Sequence, residues 1–246
     1  MALSLGGHAA SYTYNSMGSD WTGDCSTGTE QSPINIYQFV KDESNVKVSF
    51  SYNTLNTQGY FSDHNYQVDG AWGDMTFTKS GTGTVASAIQ FHFHGPSENA
   101  LNGYLYDLEM HIVHADANGN LFVIGVFYEE GDSSSFIESV ISTTPTDINL
   151  MSAFGGATSL DHFYIFDGSL TTPPCSEGVQ WTVWSKVQTL SKAQLKFFTD
   201  KWAGDASFGN GNGNNREIMP LNDRTVVEVG DYGVILAISL FLTSLI

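Results

Sequence analysis

The chain has 246 residues, enough for one large domain with a substantial core. It carries 9 basic and 26 acidic residues, a formal charge of −17; such a surface favours solubility, repels phosphate backbones and argues against nucleic acid as a partner. With 25 glycines, 6 prolines and 13% aromatic residues it reads as a loop-rich sheet protein.

In chain order, residues 1–7 lack a basic segment, and their apolar stretch is too short for a secretory signal. Residues 46–52 alternate apolar and polar and run into a polar turn at 53–56. Residues 75–78 alternate again and stop at Ser80-Gly81-Thr82-Gly83. Both read as half-buried strands. Residues 121–128 form a near-continuous apolar run, the pattern of a strand buried on both faces. Residues 133–141 suit a short helix, and 180–187 alternate once more. Residues 191–201 are the clearest helix: Ser191 can cap it, and Leu195, Phe198 and Trp202 recur at helical spacing. There is no repeat, low-complexity block or linker. The expectation is a single, mostly β (β-rich α+β) domain over residues 12–229 with short peripheral helices, followed by an apolar tail, 230–246. Residues 233–246 carry no charge and are shorter than the ~20 residues a bilayer span needs. The tail is similar to the discarded signal of a lipid-anchored surface protein, without the usual polar spacer. Membrane attachment through it is one reading; a terminal strand or docked segment is an equally good one.

Two strand-like runs carry the chemistry. Gln90-Phe91-His92-Phe93-His94 places His92 and His94 on one face, because side chains alternate along a strand. Leu108-Glu109-Met110-His111-Ile112-Val113-His114 can bring His111 beside them. Three neutral imidazoles meeting at a point make a zinc site with an open fourth position, as catalytic sites have. Gln90 shares the face of His92 and Glu109 that of His111, so both can take the second ring N–H of a ligand. His114 falls on the opposite face with Phe91, Phe93, Met110 and Ile112 and reads as a core histidine. Zinc held by neutral ligands keeps its full charge and brings the pKa of a bound water to about 7. Its natural target is a small electrophilic carbon.

These runs, with Glu98 and Gly168-Ser169-Leu170-Thr171-Thr172-Pro173-Pro174, resemble the α-class carbonic anhydrases. So do Glu30-Gln31-Ser32-Pro33-Ile34-Asn35-Ile36, Asn215-Arg216 and Pro220-Leu221-Asn222. The resemblance covers nearly the whole chain, about Tyr14 to Val229, in several motifs in the right order. It implies a large, twisted, mainly antiparallel central sheet with the metal at the base of a conical cleft. It implies reversible hydration of carbon dioxide to bicarbonate and a proton through zinc-bound hydroxide.

The resemblance also assigns roles. Thr171 accepts a hydrogen bond from the hydroxide and donates to Glu98, and Thr172 lies at the substrate entrance. Val113, Val123, Leu170, Val179 and Trp181 line an apolar substrate pocket. His64 takes the proton-shuttle position, although Phe61-Ser62-Asp63-His64-Asn65 departs from the family's local pattern. Tyr14 matches a tyrosine that orders cleft waters. Cys25 and Cys175 alone leave pairing open; secreted and periplasmic members carry a disulfide at these two places. That implies an oxidising compartment, extracellular or at the cell surface. Gly95 stands where many animal members have tryptophan, and Asn99 where a histidine is common, with a local packing change expected.

Two rivals are weaker. A cupin shares the His-x-His-x3-Glu spacing, but its glycines would fall on Ala86 and Leu105. A non-catalytic, carbonic anhydrase-like surface binding or storage protein typically lacks a zinc histidine. Oligomeric state is not legible.

Overall fold

The computed structural model describes residues 12–42, 45–62, 64–203, 209, 211 and 213–230. After a short helix, α1 (Asp24–Thr27), come two brief strands, β1 (Asn35–Ile36) and β2 (Val40–Lys41). In β3 (Lys47–Tyr52) the expected alternation buries Val48, Phe50 and Tyr52. β4 (Thr54–Thr57) and β5 (Tyr60–Phe61) lead into a long hairpin, β6 (Tyr66–Lys79) and β7 (Thr82–His94). Its turn, Ser80-Gly81, has φ of 50° and 81°, the paired left-handed geometry whose twist matches that of the flanking strands. The strand expected at 75–78 is only the far end of β6. A register shift between Asp69 and Gly73 breaks the alternation upstream and hides the rest from a period-2 reading.

β8 (Ala100–Leu101), β9 (Leu108–Asp116) and β10 (Leu121–Glu130) follow. Then come α2 (Ser135–Val140), β11 (Thr146–Asn149), a 3₁₀ turn at Leu150–Phe154, β12 (Phe163–Ser169), β13 (Glu177–Leu190), α3 (Lys192–Ala203) and β14 (Val227–Val229). Ser134 caps α2 through the Ile137 amide. At α3 the Gln194 amide donates to Ser191 Oγ at 3.3 Å while Ser191 N–H donates to Gln194 Oε1 at 3.0 Å, a reciprocal capping box.

The central sheet has ten strands, ordered β2-β14-β12-β13-β10-β9-β7-β6-β3 with β5 also on β6. It is mainly antiparallel; β10 with β13 and β14 with β2 are the parallel pairs. One apolar cluster contains Ile112, Ile124, Val126 and Trp184, and a second contains Val113, Val123, Phe127 and Trp181. Successive residues of β10 thus enter different clusters, which explains its unbroken apolar run. Cys25 and Cys175 are joined, with Cα atoms 5.0 Å apart and 150 positions between them in sequence. The readings of residues 1–7 and of the tail beyond Gly230 lie outside the described residues. Among the described residues no helix is long and apolar enough to cross a membrane.

Candidate metal centre and cleft

His92 and His111 are direct cross-strand partners on β7 and β9, and His94 follows His92 on the same face. Their ring centroids are 4.7–5.3 Å apart, and the three can offer one nitrogen each with all within 4.8 Å of one another. The remaining nitrogens show which atoms are left over. His92 Nδ1 meets Gln90 Oε1 at 2.8 Å, and His94 Nδ1 meets the Asn214 carbonyl at 2.8 Å. His111 Nε2 lies 3.2 Å from Glu109 Oε1. Nε2 of His92, Nε2 of His94 and Nδ1 of His111 are therefore the free donors. Burial holds His92 and His111 well below the usual histidine pKa and His94 down to about 4, so all three rings are neutral at pH 7, as ligands must be. His94 Nε2, fully buried, has no hydrogen-bond partner among the described residues. A buried acceptor nitrogen without a donor, in a set of three imidazoles, fits a zinc-class cation.

Glu109 is held hard. Its Oε2 accepts from the Glu98 and Asn99 amides, both at 2.8 Å, and its Oε1 accepts from Asn99 Nδ2 at 2.9 Å. The change expected at Asn99 is thus a direct clamp on the carboxylate beside His111. Gly125, across from His111, leaves room for that carboxylate: a Cβ there would lie 2.7 Å from Glu109 Oε1. Burial pushes the Glu109 pKa up to about 7, against the pull of Asn99.

Glu98 is fully buried, with Oε1 accepting from the Arg216 amide at 2.9 Å. Its Oε2 lies 3.5 Å from His94 Nε2 and 3.9 Å from His111 Nδ1. Burial pushes its pKa up to about 8; the Thr171 hydroxyl and the Arg216 amide pull it down. The Thr171 contact is loose, because Oε2 makes no hydrogen bond of regular geometry; catalytic bonds are often long before substrate binds. A divalent cation in the triad would lower both carboxyl pKa values further.

Val113, Val123, Val179 and Trp181 are buried in one apolar cluster, with Leu170 packed on it. The Trp181 ring meets His111 edge-on at 4.8 Å, so this cluster adjoins the triad. Thr172 is half-buried in the loop after β12, its carbonyl accepting from the Cys175 amide at 2.8 Å. His64, between β5 and β6, lies flat on Tyr12 with ring centroids 3.8 Å apart, and 6.4 Å from Tyr14 edge-on. His114 points away, between Tyr52 Oη (2.8 Å) and the Phe122 carbonyl (3.1 Å), a hydrogen-bonded core histidine as expected.

Sequence reasoning missed two residues. Asn214 spends its backbone carbonyl on His94, its Oδ1 on the Gly95 amide, and its Nδ2 on the carbonyls of Phe93 and His64. Gly213 before it has φ +95°, and a Cβ there would lie 2.0 Å from the Gly95 oxygen. The neighbouring Asn215-Arg216 motif was the only available signal, since a backbone acceptor leaves no trace in residue type. Tyr12 carried no signal at all. At Gly95 the Trp202 ring fills the space, 2.9 Å from where a Cβ would sit.

Comparison with known proteins agrees with this geometry. The profile of the eukaryotic-type carbonic anhydrase family matches residues 16–230. A carbonic anhydrase of Neisseria gonorrhoeae is 35% identical over 211 residues, covering 83% of this chain and 79% of the relative. The structure of the Photobacterium profundum alpha-carbonic anhydrase superposes with a TM-score of 0.70 at 34% identity, over 83% of this chain and 91% of that one. Dioscorin complexed with ascorbate has the same fold, with a TM-score of 0.71 at 26% identity over 85% and 90%.

Proposed function

The chain belongs to the eukaryotic-type, or α, carbonic anhydrase family and catalyses the reversible hydration of carbon dioxide; we propose that it does so with one zinc ion held by His92, His94 and His111. The observation that carries this is the convergence of three neutral imidazoles, each with its other nitrogen facing an acceptor. Zinc, when bound, supplies a Lewis acid that ionises water near neutral pH, giving a nucleophile for carbon dioxide.

The chain's own residues supply the rest. An ionised Glu98 can only accept hydrogen bonds, so it makes Thr171 the donor between them. Thr171 then has only lone pairs to offer the reacting water, which aims that water's nucleophilic pair at the substrate. The Arg216 amide keeps Glu98 in place for this. Carbon dioxide has no net charge, and the wall of Val113, Val123, Leu170, Val179 and Trp181 would hold it by dispersion and exclude water, with Thr172 at the approach. His64 would carry the released proton outward, since imidazole titrates near neutrality. Gln90 and Glu109 orient their histidines and raise ligand basicity.

The Cys25–Cys175 disulfide supports an oxidising compartment, and we assign the protein to the extracellular space or cell surface. Residues 12–229 would form the catalytic domain and 230–246 a segment outside it, with membrane attachment one role for that tail. The non-catalytic surface or storage reading is not favoured, because all three histidines, Glu98 and Thr171 are present together.

The test is metal analysis with a stopped-flow hydration assay. One zinc per chain is expected, with activity lost on chelation and restored by zinc. His94→Ala should lose most of its zinc at neutral pH. Full activity in zinc-free protein, or normal zinc binding with all three histidines replaced, would refute the assignment.

A further inference from the structure

We propose that Tyr12 is a specificity-determining residue, a strap across the cleft mouth that admits carbon dioxide and holds back larger substrates. The inference rests on the reaction site assigned above.

Two residues tied to the site form the walls of the proposed opening. On one side, His64 is tied down by Asn214, whose Nδ2 donates to the His64 carbonyl at 2.9 Å and whose own carbonyl binds His94. On the other, Thr172 directly follows Thr171 and is fixed by the Cys175 amide. Tyr12 touches both walls. Its ring lies flat on His64, at 3.8 Å and 23° between planes. Its hydroxyl lies within reach of the Thr172 side chain and of Tyr14. Burial and, to a smaller extent, the Glu98 carboxylate push the phenol pKa up. Trp21 and Tyr14 hold the ring from behind, edge-on at 5.0 and 5.9 Å.

A half-buried aromatic ring, stacked on His64 and with its hydroxyl toward Thr172, crosses the approach between them. Carbon dioxide is linear and three atoms long. A planar aryl group is far bulkier than carbon dioxide and must displace the ring, breaking the His64 stack and the Thr172 contact together. That cost applies to large ligands alone, so it discriminates by size.

The probes are dipicolinate, a flat aromatic chelator, and 4-nitrophenyl acetate, an ester with an aryl leaving group. Wild type, Tyr12→Ala and Tyr12→Phe are compared as zinc-loaded protein. Tyr12→Ala should release zinc to dipicolinate about fivefold faster and raise the ratio of ester hydrolysis to carbon dioxide hydration by about as much, the scale of one lost aromatic pair. Tyr12→Phe keeps the ring and should stay near wild type in chelator release. In zinc-free protein, the His64 Cε1–H resonance should lie upfield in wild type and Tyr12→Phe and move downfield in Tyr12→Ala. A well-folded Tyr12→Ala with wild-type chelator release and ester ratio overturns the proposal, as does an unmoved His64 resonance. Wild type that fails to hydrate carbon dioxide, with the resonance shifting as described, instead overturns the assigned reaction and leaves the strap in place.

Discussion

Removing the Cys25–Cys175 disulfide should cost the protein much of its stability while leaving its folded geometry nearly intact. The bond closes a loop spanning 150 positions, most of the described domain. Loop-closure entropy for that length gives ~5 kcal/mol, comparable to the whole stability of many domains. The folded side should change little, because the two backbones are held independently of the sulfurs. Arg216 Nη2 donates to the Cys25 carbonyl at 2.7 Å, Gln31 Nε2 donates to the Cys175 carbonyl at 3.0 Å, and Arg216 Nη1 binds Gln31 Oε1 at 2.9 Å. The assay is urea unfolding of wild type and Cys25→Ser/Cys175→Ser at fixed zinc, with carbon dioxide hydration measured on each. The variant should unfold at far lower urea, with an equal or larger m-value, because its unfolded chain is more open. Its activity should survive wherever it stays folded. A stability loss below about 1 kcal/mol would contradict the entropic argument.

Glu98→Gln and Thr171→Ala should keep zinc but lower kcat/KM by about 10²-fold, because they disturb the aim of the reacting water and not ligation; unchanged kcat/KM in both would contradict the roles assigned. His64→Ala should lower kcat and spare kcat/KM, since proton export follows product release, and small imidazole buffers should restore part of the loss. A variant with wild-type kcat in weak buffer would make His64 an ordinary cleft residue. His114 is held at a pKa of about 4 by burial, against 6.5 when exposed. A depressed pKa means its stabilising contribution is whole above pH 6.5 and is lost as pH falls towards 4, by ~3 kcal/mol in all. Unfolding free energy measured over this window should fall less steeply for His114→Asn than for wild type; equal slopes would show that His114 does not drive the acid instability.

Much of the candidate site was legible because periodicity belongs to the local chain. His92 and His94 share a face through the two-residue repeat of a strand, and the same repeat turns His114 away. Gln90 and Glu109 were legible for the same reason, two residues from the rings they serve. Ser191 as the cap of α3 was legible over the same short span, its reciprocal partner Gln194 was not read, and the apolar run of β10 reported its double burial. The role of Glu98 came from family resemblance; its hold by the Arg216 amide, 118 positions away, did not. Nor could any local pattern show that the Asn214 carbonyl, 120 positions from His94, would serve that ring. The break in β6, the parallel pairing of β10 with β13, and the meeting of Tyr12, His64 and Thr172 were equally hidden. Residue type and spacing decide which way a side chain faces; the partner it meets depends on strand register and on where loops return. Those are settled only when the whole sheet closes around its two cores, and a backbone carbonyl or a stacked ring at that junction carries no mark in the residues beside it.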